Sequence, residues 1–319
     1  MARRSHEVPV RTRRTKLLRF LKILALGLVV LAGLGAAFIY WYDRVGQEPD
    51  RSFDITVARP AYPTEHPRVL FDVAHHNFHT PTGRYQPFAA LLAHDGYEIV
   101  ENQAAFTLDG LRAAKVLVIA NAMGPDGHEG RDAFTADERA AVVAWVRSGG
   151  ALLLIADHVP FGSAAASLSE QLGVEMYLAF ARDDDHHEGW DNERLVFSTE
   201  NHLLVDGPIT RGLHPDERLT RIITFTGQSL SVPPGATPIL RMSDASYDWE
   251  TRSTRHPARG HAQAVALTLE RGRAVILGEA GVLSAQVDPL GFKMGMNYEG
   301  SDDKQLALNI MHWLSGALN

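Results

Sequence analysis

The hydrophobic positions of this chain form one long uninterrupted run, followed by a series of short runs. The long run, Ile23–Tyr42, contains 20 residues without a charge. A helix rises about 1.5 Å per residue, so this run would span the ~30 Å hydrocarbon core of a bilayer. We therefore predict a single transmembrane helix at residues 23–42.

The charges that flank this run predict its orientation. Residues 1–22 contain eight Lys and Arg and one Glu, a basic tail that the positive-inside rule places in the cytoplasm. We expect a single pass through the cytoplasmic (inner) membrane, with the C-terminal domain extracytoplasmic. A cleaved signal peptide is the alternative, although its apolar region is ordinarily only about 7–15 residues long.

Residues 43–67 are polar and contain four prolines. Proline fixes its own φ angle and restricts the residue before it, so this composition predicts an extended linker. The linker would connect the membrane helix to a domain at residues 68–319.

In that domain, short apolar runs alternate with helical patterns. Continuous apolar strands between helices are typical of a parallel sheet that helices cover on both faces. The predicted fold class is therefore α/β, a doubly wound and mostly parallel sheet. The first strands are Arg68–Asp72, Tyr97–Glu101, Lys115–Ala120 and Ala151–Ala156, and the first helices are Tyr85–His94, Leu108–Ala114 and one capped by Thr135 that ends at Arg147.

The alternation stops at residues 181–260, which we interpret as an inserted region of strands and loops. The later elements expected are strands at Leu219–Phe225, Pro238–Met242, Ala262–Glu270 and Arg273–Gly278, and a final helix at Asp302–Ser315.

Composition narrows the classes of function. The whole chain carries −7 and residues 1–42 contribute +7, so residues 43–319 carry −14. A domain this acidic is a poor candidate for nucleic-acid binding, which requires a basic face. The chain contains no Cys, which excludes disulfides, thiolate metal sites and a cysteine nucleophile.

Polar residues that follow predicted strands are the candidates for chemistry. In a doubly wound sheet, ligands bind where the strands end. Such residues follow the first, fourth and last strands, and others lie in the loop before the final helix. They are His75, His76, Asn77, Asp157, His158, Glu279, Asn297 and Asp302.

We assign provisional roles to these residues from their chemistry. His75, His158 and Glu279 are the candidate catalytic groups, because imidazoles and carboxylates transfer protons. His75, His76, Asp157 and His158 are the candidate ligands of a divalent metal such as zinc.

Asn77, Asn297 and Asp302 are the candidate substrate-binding residues. Each assignment has a structural alternative. Paired histidines often serve only as hydrogen-bonding groups, and Asp302 can simply cap the final helix.

Three sequence segments resemble a known superfamily. ALLLIADHVPFG, GRAVILGEAG and the GMN…DDKQLALNIMHWLSG ending resemble the class I glutamine amidotransferase-like superfamily, nearest to its ThuA-type and gliding-motility-transport-type domains. The resemblance covers residues 68–319 and implies a flavodoxin-like fold. Members of the superfamily that hydrolyse glutamine use a Cys after a central strand, where this chain has Asp157 and His158, so the usual glutaminase mechanism is excluded.

Two functions remain open at this point. One is an extracytoplasmic hydrolase, metal-assisted or carbohydrate-related. The other is a non-catalytic module that binds a small or carbohydrate-like ligand, or an envelope protein partner in a membrane complex. Nucleotide binding is rejected because neither G-x-x-x-x-G-K-[ST] nor G-x-G-x-x-G follows a predicted strand.

Overall fold

The chain divides into two compact units, Met1–Gln47 and Glu48–Asn319. The structure, a computed structural model, describes residues 11–127, 131–189, 192–251 and 254–319. In the first unit, helix α1 extends over Arg11–Val45. Its segment Lys16–Tyr42, 27 residues with a mean hydropathy of 2.4, is long and apolar enough to cross a membrane, a test that a signal sequence also passes.

The second unit contains six α-helices and sixteen strands among the described residues. The helices are α2 (Gln86–His94), α3 (Leu108–Leu111), α4 (Ala136–Arg147), α5 (Phe161–Gln171), α6 (Pro208–Arg211) and α7 (Asp303–Ser315). The strands are β1 (Glu48–Pro49), β2 (Arg68–Asp72), β3 (Glu98–Asn102), β4 (Val116–Ala120), β5 (Ala151–Ile155), β6 (Phe180–Asp183), β7 (His187–Glu188), β8 (Arg194–Ser198), β9 (Arg221–Phe225), β10 (Thr237–Arg241), β11 (Ser246–Thr251), β12 (Thr254–Pro257), β13 (Ala262–Leu269), β14 (Gly272–Leu277), β15 (Ala285–Val287) and β16 (Lys293–Gly295).

Seven of these strands form the central sheet, in the order β10-β13-β14-β5-β4-β2-β3. The five strands from β14 to β3 are parallel, whereas β13 and β10 are antiparallel to their neighbours. The predicted α/β class with a mostly parallel sheet is confirmed. The order of the five parallel strands is the flavodoxin-like 2-1-3-4-5 arrangement.

Two hydrophobic cores cover the faces of this sheet. Every residue of β4 and β5 is buried, as expected for central strands with helices on both sides. One core contains α2 and α7 residues such as Leu91 and Ile310. The other contains residues of α4 and α5 such as Val142 and Leu168.

The predicted elements lie close to the observed ones, and the differences have local causes. The expected capping box at Thr135 is present, with Thr135 and Glu138 bonded reciprocally at the start of α4. Helix α5 was not predicted, because its sequence is rich in Gly, Ala and Ser and its apolar stripe is short. The region 181–260 contributes two small antiparallel sheets, β12-β11-β6 and β7-β8-β9.

Residues 48–67, predicted as a linker, belong to the second compact unit. Phe53, Ile55 and Val57 pack against the core, an alternation that is typical of an extended segment with one apolar face, and Tyr62 packs against the same core. Strand β1 pairs with β15, and the Ala61 N–H donates to the carboxylate of Asp95 at 2.8 Å.

Candidate functional site

The loops after the parallel strands meet at one edge of the central sheet, which we call the carboxyl edge. The strand order reverses between β2 and β4, and ligands of open α/β sheets bind at such a switch point. Asn121, directly after β4, connects three of these loops. Its N–H donates to the Ile155 carbonyl at 2.9 Å and its own carbonyl accepts from the Phe78 N–H at 2.9 Å. Its side-chain oxygen accepts the Asp157 N–H at 2.9 Å.

Asp157 lies two residues after β5, with its side chain 17% exposed. Its carboxylate accepts the backbone N–H of His158 at 2.9 Å and that of Ala280. Burial raises the pKa of Asp157 and outweighs the opposing effect of the nearby His158 and these N–H donors. Asp157 is therefore a partly accessible carboxyl group that protonates more readily than an ordinary aspartate.

Glu279 follows β14 and is only 2% exposed. Its two oxygens accept the backbone N–H groups of Gly281 and Val282, at 2.5 and 2.7 Å. Burial raises the pKa of Glu279 well above its usual value, and the charge of Asp157 raises it further. Burial and the charge of Asp157 thus both disfavour the ionisation of Glu279.

Two glycines make room for the Glu279 side chain. A Cβ on Gly281 would lie 2.7 Å from the Glu279 Oε1 atom. Gly227 has a φ of +69°, and a Cβ there would lie 2.6 Å from the Glu279 Cβ. Larger residues at either position would displace this carboxyl group.

Tyr85 and His79 complete the buried part of the site. The Tyr85 hydroxyl donates to the Ala280 carbonyl at 2.7 Å, and burial, Glu279 and Asp157 raise the pKa of this phenol. The Asn121 amide donates to His79 Nδ1 at 3.1 Å. Burial lowers the pKa of His79 to about 3, with a smaller contribution from Arg84. Both rings are therefore neutral at physiological pH.

Gln228 ties β5 to β14 at the same edge. Its side-chain amide donates to the carbonyls of Ala156 and Asp157, at 2.8 and 3.0 Å. Its side-chain oxygen accepts the Leu178 N–H at 2.9 Å, and its backbone N–H donates to the Gly278 carbonyl at 2.7 Å. Gln228 thereby holds the loops that carry Asp157 and Glu279 beside each other.

His75 lies in a separate cluster, between two carboxylates. Its Nδ1 atom is 2.9 Å from both Asp72 oxygens, and its Nε2 atom is 2.8 Å from Glu138 Oε1. Burial lowers the pKa of His75, but the hydrogen bonds and charges of Asp72 and Glu138 outweigh it and raise the pKa overall. Both ring nitrogens are therefore occupied, and the cluster joins the loop after β2 to the start of α4.

The structure does not bring the four predicted metal ligands together. His75 binds its two carboxylates, and His76 is exposed with a φ of +51°. His158 Nδ1 donates to the Val159 carbonyl at 2.8 Å, and its Nε2 atom lies 3.8 Å from Asp157. Within the described part of the chain, no group of three or more His, Asp or Glu side chains is placed to hold a metal ion.

The predicted substrate-binding residues also make contacts within the chain. The Asn77 amide oxygen accepts the His75 N–H at 3.2 Å. The Asn297 amide donates to Asp50 at 2.9 Å, which holds the start of the second unit. Asp302 accepts the backbone N–H groups of Thr220 and Arg221, at 2.6 and 3.0 Å.

Apolar and aromatic side chains lie in the loops at the carboxyl edge. Phe78 is 44% exposed and Val159 45% exposed. The Arg84 guanidinium lies 4.5 Å from the centre of the Phe78 ring, and the Phe161 ring centre is 5.4 Å from that of Phe78. The His158 ring centre lies 4.2 Å from that of Phe180.

Sequence reasoning did not select Asn121, Gln228, His79 or Tyr85. Asn121 follows an apolar strand and therefore fits the rule that selected Asp157. His79, in the loop after β2, fits the same rule. Gln228 lies in the region interpreted as an insertion, and no local pattern in that region indicates that it reaches β5.

Comparisons with known proteins inform on the fold. No family model matches the chain, and no curated protein matches it. The solved N-terminal domain of mmIFT52 superposes with a TM-score of 0.57 at 15% sequence identity, covering 77% of this chain and 97% of that domain. At this identity the likeness shows the fold alone.

Two further solved structures have lower TM-scores. A ThuA-like protein from Parabacteroides merdae gives 0.45 at 10% identity, covering 79% of this chain and 90% of that protein. A second ThuA-like protein, from Bacteroides uniformis, gives 0.43 at 11% identity, covering 83% of this chain and 95% of that protein.

Proposed function

We propose that this chain is a single-pass protein of the cytoplasmic membrane, with a basic tail inside and an extracytoplasmic, cysteine-free domain of the glutamine amidotransferase-like type. The domain binds a small, hydroxyl-rich ligand of carbohydrate type at its carboxyl edge. The apolar segment Lys16–Tyr42 and the basic residues that precede and begin it support the anchor and its orientation.

One observation carries the ligand proposal: the partly exposed carboxyl group of Asp157 accepts the N–H of Ala280, the residue that follows the buried Glu279, and its charge raises the pKa of Glu279. A carboxyl group accepts hydrogen bonds when ionised and also donates one when protonated. Small-molecule sites ordinarily combine a few polar groups with apolar and aromatic side chains, and Phe78 and Val159 are exposed in the loops at this edge. The exposed Phe78 ring provides aromatic surface for the apolar face of a sugar.

Isothermal titration calorimetry on the full chain in detergent tests this proposal, with N-acetylglucosamine and maltose oligosaccharides as the probes. We expect Asp157→Asn to weaken, at least tenfold, the binding of the sugar that the unmodified chain binds. This change corresponds to about 1.4 kcal/mol. Asp206→Asn is the matched control, since Asp206 pairs with Arg211 and Arg218 at the surface. The proposal would be contradicted if Asp157→Asn bound the sugar as tightly as the unmodified chain. It would also be contradicted if the unmodified chain bound neither N-acetylglucosamine nor maltose oligosaccharides.

Acid–base hydrolysis at the same pair is the second candidate function. The raised pKa of Glu279 beside Asp157 is the feature that favours it, because acid–base catalysis uses two carboxyl groups whose protonation differs. Release of shorter oligosaccharides by the unmodified chain, and its loss in Glu279→Gln, would select hydrolysis over binding alone.

A further inference from the structure

Arg84 lies at the carboxyl edge, in the loop between β2 and α2, and two contacts fix its side chain. Its guanidinium donates to the side-chain oxygen of Gln286 at 2.7 Å. It also lies 4.5 Å from the centre of the Phe78 ring, a distance at which a cation and an aromatic face attract each other. Gln286 is itself fixed, because its side-chain amide donates to the Ser284 hydroxyl at 2.8 Å. The positive charge of Arg84 is therefore held in one place.

Among the described residues, no carboxylate forms an ion pair with this charge, and the two side chains that contact it, Gln286 and Phe78, are uncharged. Burial lowers the pKa of Arg84 and outweighs the charge of Glu48, an exposed residue of β1 that acts from beyond ion-pair distance. Charged side chains that are partly buried are ordinarily paired. Because Arg84 is half-buried, an anionic group bound at this edge would supply the charge that the domain does not.

A short path of contacts connects Arg84 with Asp157. The hydroxyl of the next residue, Tyr85, donates to the Ala280 carbonyl at 2.7 Å. The Ala280 N–H in turn donates to the Asp157 carboxylate. The Phe78 ring against which the guanidinium lies is 44% exposed, so this part of the edge is open to a ligand. Arg84 therefore belongs to the same edge as the carboxyl group to which we assign ligand binding.

The acidic composition of the domain does not prevent an anion from binding here. Burial raises the pKa of Asp157, and burial and the charge of Asp157 raise that of Glu279. These two carboxyl groups therefore protonate more readily than ordinary ones and repel an anion less. Exposed charges that lie farther away than about 8 Å are largely screened at physiological ionic strength. The charge of Arg84 is thus the fixed charge that an anionic ligand meets at this edge.

We propose that the ligand of the carboxyl edge is an anionic sugar, whose carboxylate or phosphate group pairs with Arg84 while Asp157 binds its hydroxyl groups. The guanidinium is a planar fork of donors that matches both kinds of anion, often through two parallel hydrogen bonds. This inference names the class of ligand and rests on the proposed carbohydrate site. It makes Arg84 the residue that distinguishes acidic from neutral sugars.

Three sugars that differ only in the group at carbon 6 test this preference. They are glucose, glucuronic acid and glucose 6-phosphate, which carry a hydroxyl, a carboxylate and a phosphate there. Calorimetric titration uses the full chain at low ionic strength in a polyoxyethylene detergent, whose headgroup is not a sugar. We expect at least one of the anionic sugars to bind about tenfold more tightly than glucose, as a charge-assisted pair predicts. The preference should decrease as salt is added, because salt screens partly exposed charges.

Two variants assign the preference to Arg84. Arg84→Gln should bring the ratio of anionic to neutral affinity toward one. Gln286→Glu should do the same with the arginine in place, because the added carboxylate becomes its partner within the chain. Arg211→Gln is the matched control, since Arg211 pairs with Asp206 at the surface, and it should keep the full preference. A ratio that Arg84→Gln leaves unchanged would overturn the role of Arg84.

The titrations separate failure of this inference from failure of the carbohydrate site. If glucose binds as tightly as both anionic sugars, the carbohydrate site stands and only the preference for an anion is overturned. If no sugar binds, this inference fails together with the proposed function. If inorganic phosphate binds as tightly as glucose 6-phosphate, the edge holds an anion without recognising the sugar, and this inference is overturned as well.

Discussion

The imidazole of His75 is held between the carboxylates of Asp72 and Glu138, at 2.9 and 2.8 Å. Glu138 also accepts hydrogen bonds from Thr135 and Phe106. Together with the hydrogen bond from His75, these bonds outweigh the effect of burial, which raises the pKa, and lower the pKa of Glu138 to about 2. His75, which the sequence indicates as a candidate catalytic or metal-binding group, thus belongs to a buried ion cluster. Asp157 and His158 keep partly exposed side chains instead.

His75→Ala should lower the free energy of unfolding by about 3–5 kcal/mol, because it leaves two buried carboxylates without their shared partner. Urea unfolding of the full chain in detergent, followed by tryptophan fluorescence, measures this loss. His76→Ala is the matched control, since His76 is exposed and surface changes are usually within about 0.5 kcal/mol. A similar small effect of His75→Ala would show that the cluster adds no stability.

The stabilisation by this cluster should depend on pH in a defined direction. The contribution of His75 is complete below its ordinary pKa of 6.5 and is lost as pH rises through its raised folded value. The contribution of Glu138 is complete above its ordinary pKa of 4.5 and is lost as pH falls through about 2. The difference in unfolding free energy between the unmodified chain and His75→Ala should therefore be largest between pH 4.5 and 6.5. A difference that grows above pH 8 would contradict this assignment.

At the scale of elements, the start of α4 connects local and distant interactions. Thr135 caps the helix, and its capping partner Glu138 is also the residue that reaches His75. The sequence predicts the capping box because its spacing is local. The contact with His75, 63 residues away in the chain, depends on the packing of β2 beside β4.

Thr135→Ala should cost about 1 kcal/mol of unfolding free energy, the usual effect of losing an N-cap. Because Thr135 also orients Glu138, its effect should not add to that of His75→Ala, with a coupling of at least about 0.5 kcal/mol in a double-mutant cycle. Thr107→Ala is the control, since Thr107 caps a different helix, α3, through the Gly110 N–H. Full additivity of Thr135→Ala and His75→Ala would disprove the coupling.

At the scale of the whole molecule, charge and hydropathy divide the chain into a basic tail, an apolar helix and an acidic domain. The strap of residues 48–62 lies along α7 through Lys304 and Tyr62. The composition of this strap indicates a linker, but its apolar residues face the core. The path of this strap along the domain is therefore set by tertiary packing.

The proposed orientation predicts the labelling pattern of single cysteines in intact cells. Arg271→Cys, in an exposed turn of the domain, should react with a membrane-impermeant maleimide added outside the cytoplasmic membrane. Ser5→Cys, in the basic tail, should react only after the membrane is permeabilised. The opposite pattern would reverse the orientation, and labelling of both sites in intact cells would show that the tail does not stay in the cytoplasm.

The sequence by itself determined the features that arise from local periodicity and composition. These are the apolar helix, the buried strands such as β4 and β5, the capping box of α4, and the exclusion of cysteine chemistry. Local patterns carry this information because the length of an apolar run and the residues that flank it are read from consecutive positions. Tertiary structure alone decided that the charge of Asp157 acts on the buried Glu279, that His75 contacts Glu138, and that residues 48–62 pack on the domain. Those contacts join distant parts of the chain, and they depend on how the strands are ordered in the sheet.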